Sequence, residues 1–132
     1  LKVALFCGIR TPNESTALYA KGRTVKNPDG ASKDKPMGNI VTNAGAWSSS
    51  HNFGLAVDIV FKTDKGDWTW NVPDSQWKAL GDRGKLFGFA WGGDWKKFPD
   101  TPHFEMKGRI PSWKTAKEIL FKEGLEKLWS LV

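Results

Sequence analysis

The sequence predicts one α+β domain with a central, mostly antiparallel sheet flanked by helices. Three observations carry this expectation. A strongly apolar stretch at residues 55–61 runs through a turn signal into a second strand-like run, the pattern of an antiparallel hairpin. Segments of helical period stand between and after the strand-like ones, so both kinds of element contribute to one core. With 132 residues, no internal repeat and no linker, residues 1–132 are expected to fold as a single domain that buries roughly two-thirds of its unfolded surface.

In chain order, Val3-Ala4-Leu5-Phe6-Cys7 reads as a buried strand. Thr11-Pro12-Asn13-Glu14 has the form of a capping box with proline at the first helical position, and Gly22 follows, so a short helix is expected over 12–21. Residues 25–39 are polar, rich in Gly and Pro and without a hydrophobic period, which predicts a long surface loop. Leu55, Val57, Ile59 and Phe61 then share one face of a strand and Ala56, Asp58 and Val60 the other, which sets Asp58 in a central strand. Thr63-Asp64-Lys65-Gly66 turns the chain into Trp68-Thr69-Trp70. A helix is expected from Asp74 to Phe87, ended by Gly88, and two short strands at 89–91 and 103–106. Ser112 caps a last amphipathic helix that turns Ala116, Ile119, Leu120, Leu125 and Leu128 inward and bends at Gly124.

Composition narrows the function classes. The chain is 39% hydrophobic and 26% charged, as in ordinary globular proteins, and its apolar runs fall short of the ~18 residues that span a bilayer, so no membrane insertion is expected. A single cysteine, Cys7, excludes an internal disulfide. Eight tryptophans supply flat surfaces suited to a core or to sugar and peptide grooves. The net charge of +6 draws polyanions, among them nucleic acid, teichoic acids and the carboxylates of peptidoglycan. Lys and Arg are scattered from Lys2 to Lys127 without a block of five or six, which argues against a dedicated nucleic-acid arm. The apolar run at 3–7 is too short for a signal peptide, and a start at Leu1 leaves room for a leader or a preceding segment.

The two histidines, His51 and His103, both lie among unusual residues. Asp58 places a carboxylate in an apolar strand, which is costly unless the group is paired, hydrogen-bonded or bound to a metal. No Lys or Arg on its own strand face offers a partner, while His51 lies seven residues upstream beyond a possible turn at Gly54. There is no His-Glu-x-x-His, and one cysteine excludes a Cys-rich structural site, which leaves a set of two His and one carboxylate. Catalytic zinc takes three such N and O ligands and leaves a fourth position to water. On composition and spacing alone, an Asp capping a turn and two ordinary surface His are favoured over the metal set.

Ser49-Ser50-His51-Asn52-Phe53-Gly54-Leu55-Ala56-Val57-Asp58 fits Ser-x-His-x-x-Gly-x-Ala-x-Asp. This pattern resembles the signature of zinc peptidases that include VanY-type D-Ala-D-Ala carboxypeptidases and the L-alanyl-D-glutamate endopeptidases of phage endolysins and bacterial wall hydrolases. Trp91-Gly92-Gly93-Asp94-Trp95 and Phe98-Pro99-Asp100-Thr101-Pro102-His103-Phe104-Glu105 resemble the family segment that brings the last ligand and the catalytic carboxylate. Gly8-Ile9-Arg10-Thr11, Leu18-Tyr19 and Gly22-Arg23-Thr24 resemble its first helix region, so the likeness runs from about residue 8 to 106. Where family members carry a Glu-Gln pair in that helix, this chain has Glu14-Ser15.

The resemblance implies a hedgehog and D-Ala-D-Ala-peptidase-like fold, one zinc ion held by His51, Asp58 and His103, and Asp100 as general base where other members use Glu. It implies Arg10 as a clamp for a substrate carboxylate, Ser49 as a hydrogen-bonding group, and Trp91 and Trp95 beside the groove, unless packing claims one of them. The expected substrate is the bacterial peptidoglycan stem peptide. The L-Ala–D-Glu bond is favoured over D,D- or L,D-carboxypeptidase action, and the expected enzyme is a monomer that acts at the cell wall. Two rivals stand against this reading: a non-catalytic zinc-containing binding domain of the hedgehog kind, which Asp100 argues against, and a basic nucleic-acid binder, which only charge and aromatics support.

Overall fold

The computed structural model describes residues 2–106 and 108–132. Its sheet is antiparallel throughout: β1 (Lys2–Cys7), β2 (Ala56–Lys62), β5 (His103–Glu105) and β4 (Ala90–Trp91) lie in that spatial order, and β3 (Trp68–Thr69) continues the sheet beside the far end of β2. β2 is therefore the central strand, as its apolar run predicts. Its register sets Asp58 opposite Cys7 on one side and opposite His103 on the other. Residues directly paired across antiparallel strands project to the same face, so this pairing alone gathers three chemically active side chains.

The two faces of β2 bury different partners. Val57, Ile59 and Phe61 join Phe104 and Trp91 against Trp77 and Leu80 of helix α2 (Asp74–Leu86). Leu55, expected on that face, packs instead with Phe53, Ile110, Ala116 and Leu128, because it precedes the first paired residue of the strand and is not yet bound to the alternation. That second cluster rests under helices α3 (Trp113–Glu123) and α4 (Leu125–Trp129). The bend expected at Gly124 is a full break between them: its φ of 86° lies where only glycine is unstrained. α4 is tied to the middle of the chain by Trp129, whose Nε1 donates to the Phe53 carbonyl at 2.9 Å.

Two expectations need correction. β1 is an edge strand and not a buried one: Val3, Leu5 and Phe6 are 48%, 60% and 49% exposed, since nothing among the described residues pairs with its outer side. The irregular stretch expected at 25–39 continues to Ser49, where a 3₁₀ turn begins, so one long loop leads from α1 (Pro12–Ala20) to the centre of the molecule. The capping box of α1 forms as the sequence indicates, with Thr11 N donating to Glu14 at 2.7 Å and Glu14 N donating to Thr11 Oγ1 at 3.2 Å. Among the described residues, no helix is long and apolar enough to cross a membrane.

Candidate active site and metal centre

The 3₁₀ turn Ser50–Phe53 positions His51. Ser49 Oγ accepts from the His51 backbone N–H at 3.3 Å, and Gly54 closes the turn at φ 66°, where a side chain would be strained. Arg10 N–H donates to the His51 carbonyl at 2.9 Å, and Asn52 Nδ2 reaches both the Arg10 carbonyl and Ser15 Oγ. The turn is thereby fastened to the end of β1 and the start of α1. The first-helix residue that departs from the family pattern, Ser15, is buried and serves as this anchor.

The two imidazoles are oriented by their outer nitrogens. His51 Nδ1 lies 2.8 Å from the Gly8 carbonyl, an acceptor, so Nδ1 carries the proton and Nε2 is left with its lone pair. His103 Nε2 lies 3.1 Å from Glu105 Oε2, which leaves Nδ1 as the free nitrogen. Both free nitrogens sit 3.3 Å from the same atom, Asp58 Oδ1. That oxygen is buried and, among the described residues, receives no contact of hydrogen-bond geometry. Two ring nitrogens and a carboxylate oxygen converging on one space form a ligand set for a cation once the His103 proton is displaced.

The electrostatics agree with the geometry. Burial opposes ionisation of Asp58, but the contacts and charges of His103 and His51 outweigh it and hold the carboxyl well below the usual carboxylate range. Burial likewise favours neutral His103, yet the Asp58 and Glu105 carboxylates beside it push its pKa up to about 9. Arg10 Nη2 stands 3.8 Å from Asp58 Oδ2 and 3.5 Å from Cys7 Sγ. This pairing revises the argument made from β2 alone, because the cation comes from the segment after β1 and not from the strand itself.

Asp100 is brought to the same place by backbone contacts. Gly92 lies in the 3₁₀ turn Gly92–Asp94, and its carbonyl accepts from Asp100 N–H at 3.0 Å, while Asp100's carbonyl accepts from His103 N–H at 3.1 Å. A Cβ on Gly92 would collide with the Asp100 carbonyl, so the close approach needs glycine. Carboxylate and nitrogen atoms of Asp58, Asp100 and His103 lie within 4.8 Å of one another, with Asp100 the exposed member. The cleft walls that flank it, and the Asp58 charge, raise the Asp100 pKa.

These residues line one open cleft of about 650 Å³. Ser49 borders it, with its hydroxyl turned to the His51 cap. Trp95 forms part of its wall, its ring 4.9 Å from that of His103. Trp91 does not line it: only 7% exposed, it packs with Phe61, Trp77 and Phe104 and donates from Nε1 to the Thr101 carbonyl at 2.7 Å. Trp91 thus braces the Asp100 loop from behind. Sequence reasoning missed Cys7, whose sulfur lies within 4.8 Å of donor atoms of His51 and Asp58, and missed Phe6 and Trp113 on the cleft wall. Strand pairing brings in Cys7 and Phe6, the start of α3 brings in Trp113, and no local motif announces either.

The chain is similar to known proteins in sequence and in fold. Residues 42–106 match a family model described as D-alanyl-D-alanine carboxypeptidase. The chain is 37% identical over 113 residues to the peptidoglycan L-alanyl-D-glutamate endopeptidase CwlK of Bacillus subtilis, an alignment that covers 80% of this chain and 61% of that protein. It is 38% identical over 82 residues to the L-alanyl-D-glutamate peptidase of Listeria phage A118, covering 58% of this chain and 28% of the relative. The chain therefore spans only part of the length of either relative. Its fold is similar to that of the Serratia marcescens L-Ala D-Glu endopeptidase ChiX, with a TM-score of 0.52 at 23% identity, covering 83% of this chain and 69% of that one. By the family model over residues 42–106 and by these relatives, the chain is similar to the peptidases that the D-alanyl-D-alanine carboxypeptidase model describes, and its fold is similar to that of ChiX.

Proposed function

We propose that this chain is a zinc peptidase domain that cuts the L-Ala–D-Glu bond of the peptidoglycan stem peptide. One observation carries the reading: two oriented imidazole nitrogens converge on a single buried Asp58 oxygen, and a second carboxylate, Asp100, stands at the open side. His51, Asp58 and His103 are the N and O ligands that suit one zinc ion, and three of them leave a position open to the cleft. When bound, zinc polarises a scissile carbonyl and lowers the pKa of water from ~15.7 to ~7.

The protein's own groups do the rest. Asp100 accepts the proton of the attacking water and returns it to the leaving amine, and its raised pKa brings it nearer to neutral pH for both transfers. Arg10, which lines the cleft, binds a carboxylate of the stem peptide through a charge-assisted contact and holds the peptide in line. Trp95 walls the groove and Ser49 holds the His51 turn. The net charge of +6 draws the domain to the anionic cell wall, where it acts as a monomer.

Glu105 has a separate task. It is buried, 5% exposed, against the outer nitrogen of His103, which makes it a positioning residue for that ring. Glu105→Gln is expected to weaken zinc binding by ~10–100-fold, the usual effect of losing such a partner. Competition with a chelator measures this, and an unchanged affinity removes Glu105 from the account.

The bond is tested by mass spectrometry of digested peptidoglycan. The endopeptidase reading expects fragments with a new D-glutamate amino terminus. The family description supports a second reading, D,D- or L,D-carboxypeptidase action, and release of terminal D-alanine with the L-Ala–D-Glu link intact would establish that one instead.

A further inference from the structure

Beside the cleft, and outside the machinery just described, stands an exposed aromatic cluster. Phe6, Trp68 and Trp70 are 49%, 55% and 45% exposed, yet their rings are mutually organised: Phe6 meets Trp68 edge-on at 5.6 Å and Trp70 at 4.9 Å. Trp70 in turn lies parallel to the buried Trp77 at 6.4 Å. The cluster is therefore a rigid platform braced by the core of α2, with its outer surface open to solvent. Contiguous exposed apolar surface is a recurrent feature of interaction and ligand-binding sites.

The position of the platform is fixed by register. Trp68 pairs with Lys62, and Lys62 shares the face of Asp58 by the period of two along β2. Four residues of strand separate Asp58 from Lys62, a distance of about 13 Å. Phe6 belongs to both regions, since it lines the cleft and touches both tryptophans. It sits at the irregularity between Leu5 and Cys7, where a bulge turns an extra side chain toward the site. A ligand held at Asp58 and extending along β2 passes Phe6 and arrives on Trp68.

We propose that this platform is a saccharide subsite that stacks the N-acetylated pyranose rings of the peptidoglycan glycan strand. The inference rests on the endopeptidase reading in one respect, the distance from bond to sugar. L-Ala is the residue joined to the glycan through a lactyl ether, so a bond cut after L-Ala lies about two residue lengths, ~7 Å, from the first ring. The next ring continues the ligand outward to the platform. A carboxypeptidase acting at the far end of the stem would keep the sugar several residues further from Asp58. Pyranose rings present flat C–H faces to aromatic rings and hydroxyls at their edges, which suits amphipathic tryptophans that remain half-exposed.

Trp68→Ala is the informative variant, because Trp68 is the most exposed member of the trio and belongs to neither core cluster. Two measurements separate the subsite from the reaction. The first is binding of soluble glycan strands stripped of all peptide, followed by tryptophan fluorescence or calorimetry. Wild type is expected to bind, and Trp68→Ala to bind at least ~5-fold more weakly while keeping the wild-type melting temperature. The second is hydrolysis of a disaccharide-linked stem peptide against the same peptide without sugar. Wild type is expected to favour the glycosylated substrate through KM, and Trp68→Ala to lose that preference with its rate on the free peptide unchanged.

Glycan binding that depends on Trp68, with no cleavage of either peptide, would keep the subsite and overturn the proposed reaction. Cleavage at L-Ala–D-Glu with no glycan binding, or with equal binding and equal preference in both proteins, would overturn the subsite. Concentration-dependent dimerisation abolished by Trp68→Ala, without glycan binding, would also overturn it and assign the face to a second copy of the chain.

Discussion

Asp100→Asn is expected to lower peptide hydrolysis by ~10²–10⁴-fold while zinc content stays near one per chain. The substitution conserves size and removes only the ability to carry the proton. The fold should tolerate it, because Asp100 is held by its backbone, through Gly92 and His103, and its carboxylate is the exposed member of the cluster. The pair of readings decides between roles. Lost activity with retained zinc identifies a proton carrier, whereas loss of both makes Asp100 a ligand. Wild-type hydrolysis with zinc in place leaves the non-catalytic alternative standing for this carboxylate. Glu105, next to consider from sequence alone as a base, is committed to His103 Nε2 and does not replace it.

Much of this site was legible in the sequence because its parts are local. The turn from Ser49 to Gly54 and the strand that follows are short-range structures, and both follow from Ser capping, a glycine at positive φ and alternating apolar residues. The Asp100–His103 spacing is likewise local. What could not be read was long-range pairing. Cys7 reaches the site because β1 lies antiparallel to β2 in one register, and Arg10 meets Asp58 because the chain leaves β1 across the His51 turn. Trp91 shows the converse error. Proximity in sequence to Trp95 suggested a shared role, but the 3₁₀ turn Gly92–Asp94 sits between them, and the two rings end on opposite sides of it, one in the core and one in the cleft. The buried-strand reading of 3–7 failed for a related reason, since an apolar run does not disclose whether a neighbour will cover it.

The largest effect is expected from loss of the ligands, and it should depend on pH in a way that the metal-free site dictates. His51→Ala, Asp58→Ala and His103→Ala should each release the zinc and abolish hydrolysis. In the metal-free protein, His103 has a pKa raised to about 9 by its two carboxylate neighbours. Its contribution to stability is full below its unfolded value, ~6.5, and is lost as pH rises through about 9. Asp58 is depressed, so its contribution is present above the unfolded carboxylate value and is lost as pH falls toward the folded one. Between about pH 4 and 6.5, protonated His103 and ionised Asp58 hold the apo site together. A metal must displace the His103 proton to use Nδ1. Apparent zinc affinity should therefore rise about tenfold per pH unit from ~6.5 to ~9 through this group alone. Zinc in hundredfold excess over its Kd stabilises by about 2.7 kcal/mol, a gain on the order of 10 °C in Tm for a chain of this size. At a fixed free zinc concentration, chelation should then cost little at pH 6 and much at pH 8, and none of the three ligand variants should show the difference. Zinc affinity that stays flat from pH 6 to 8, measured by competition with a chelator of known proton linkage, would mean that His103 does not bind the metal through the nitrogen that faces Asp58.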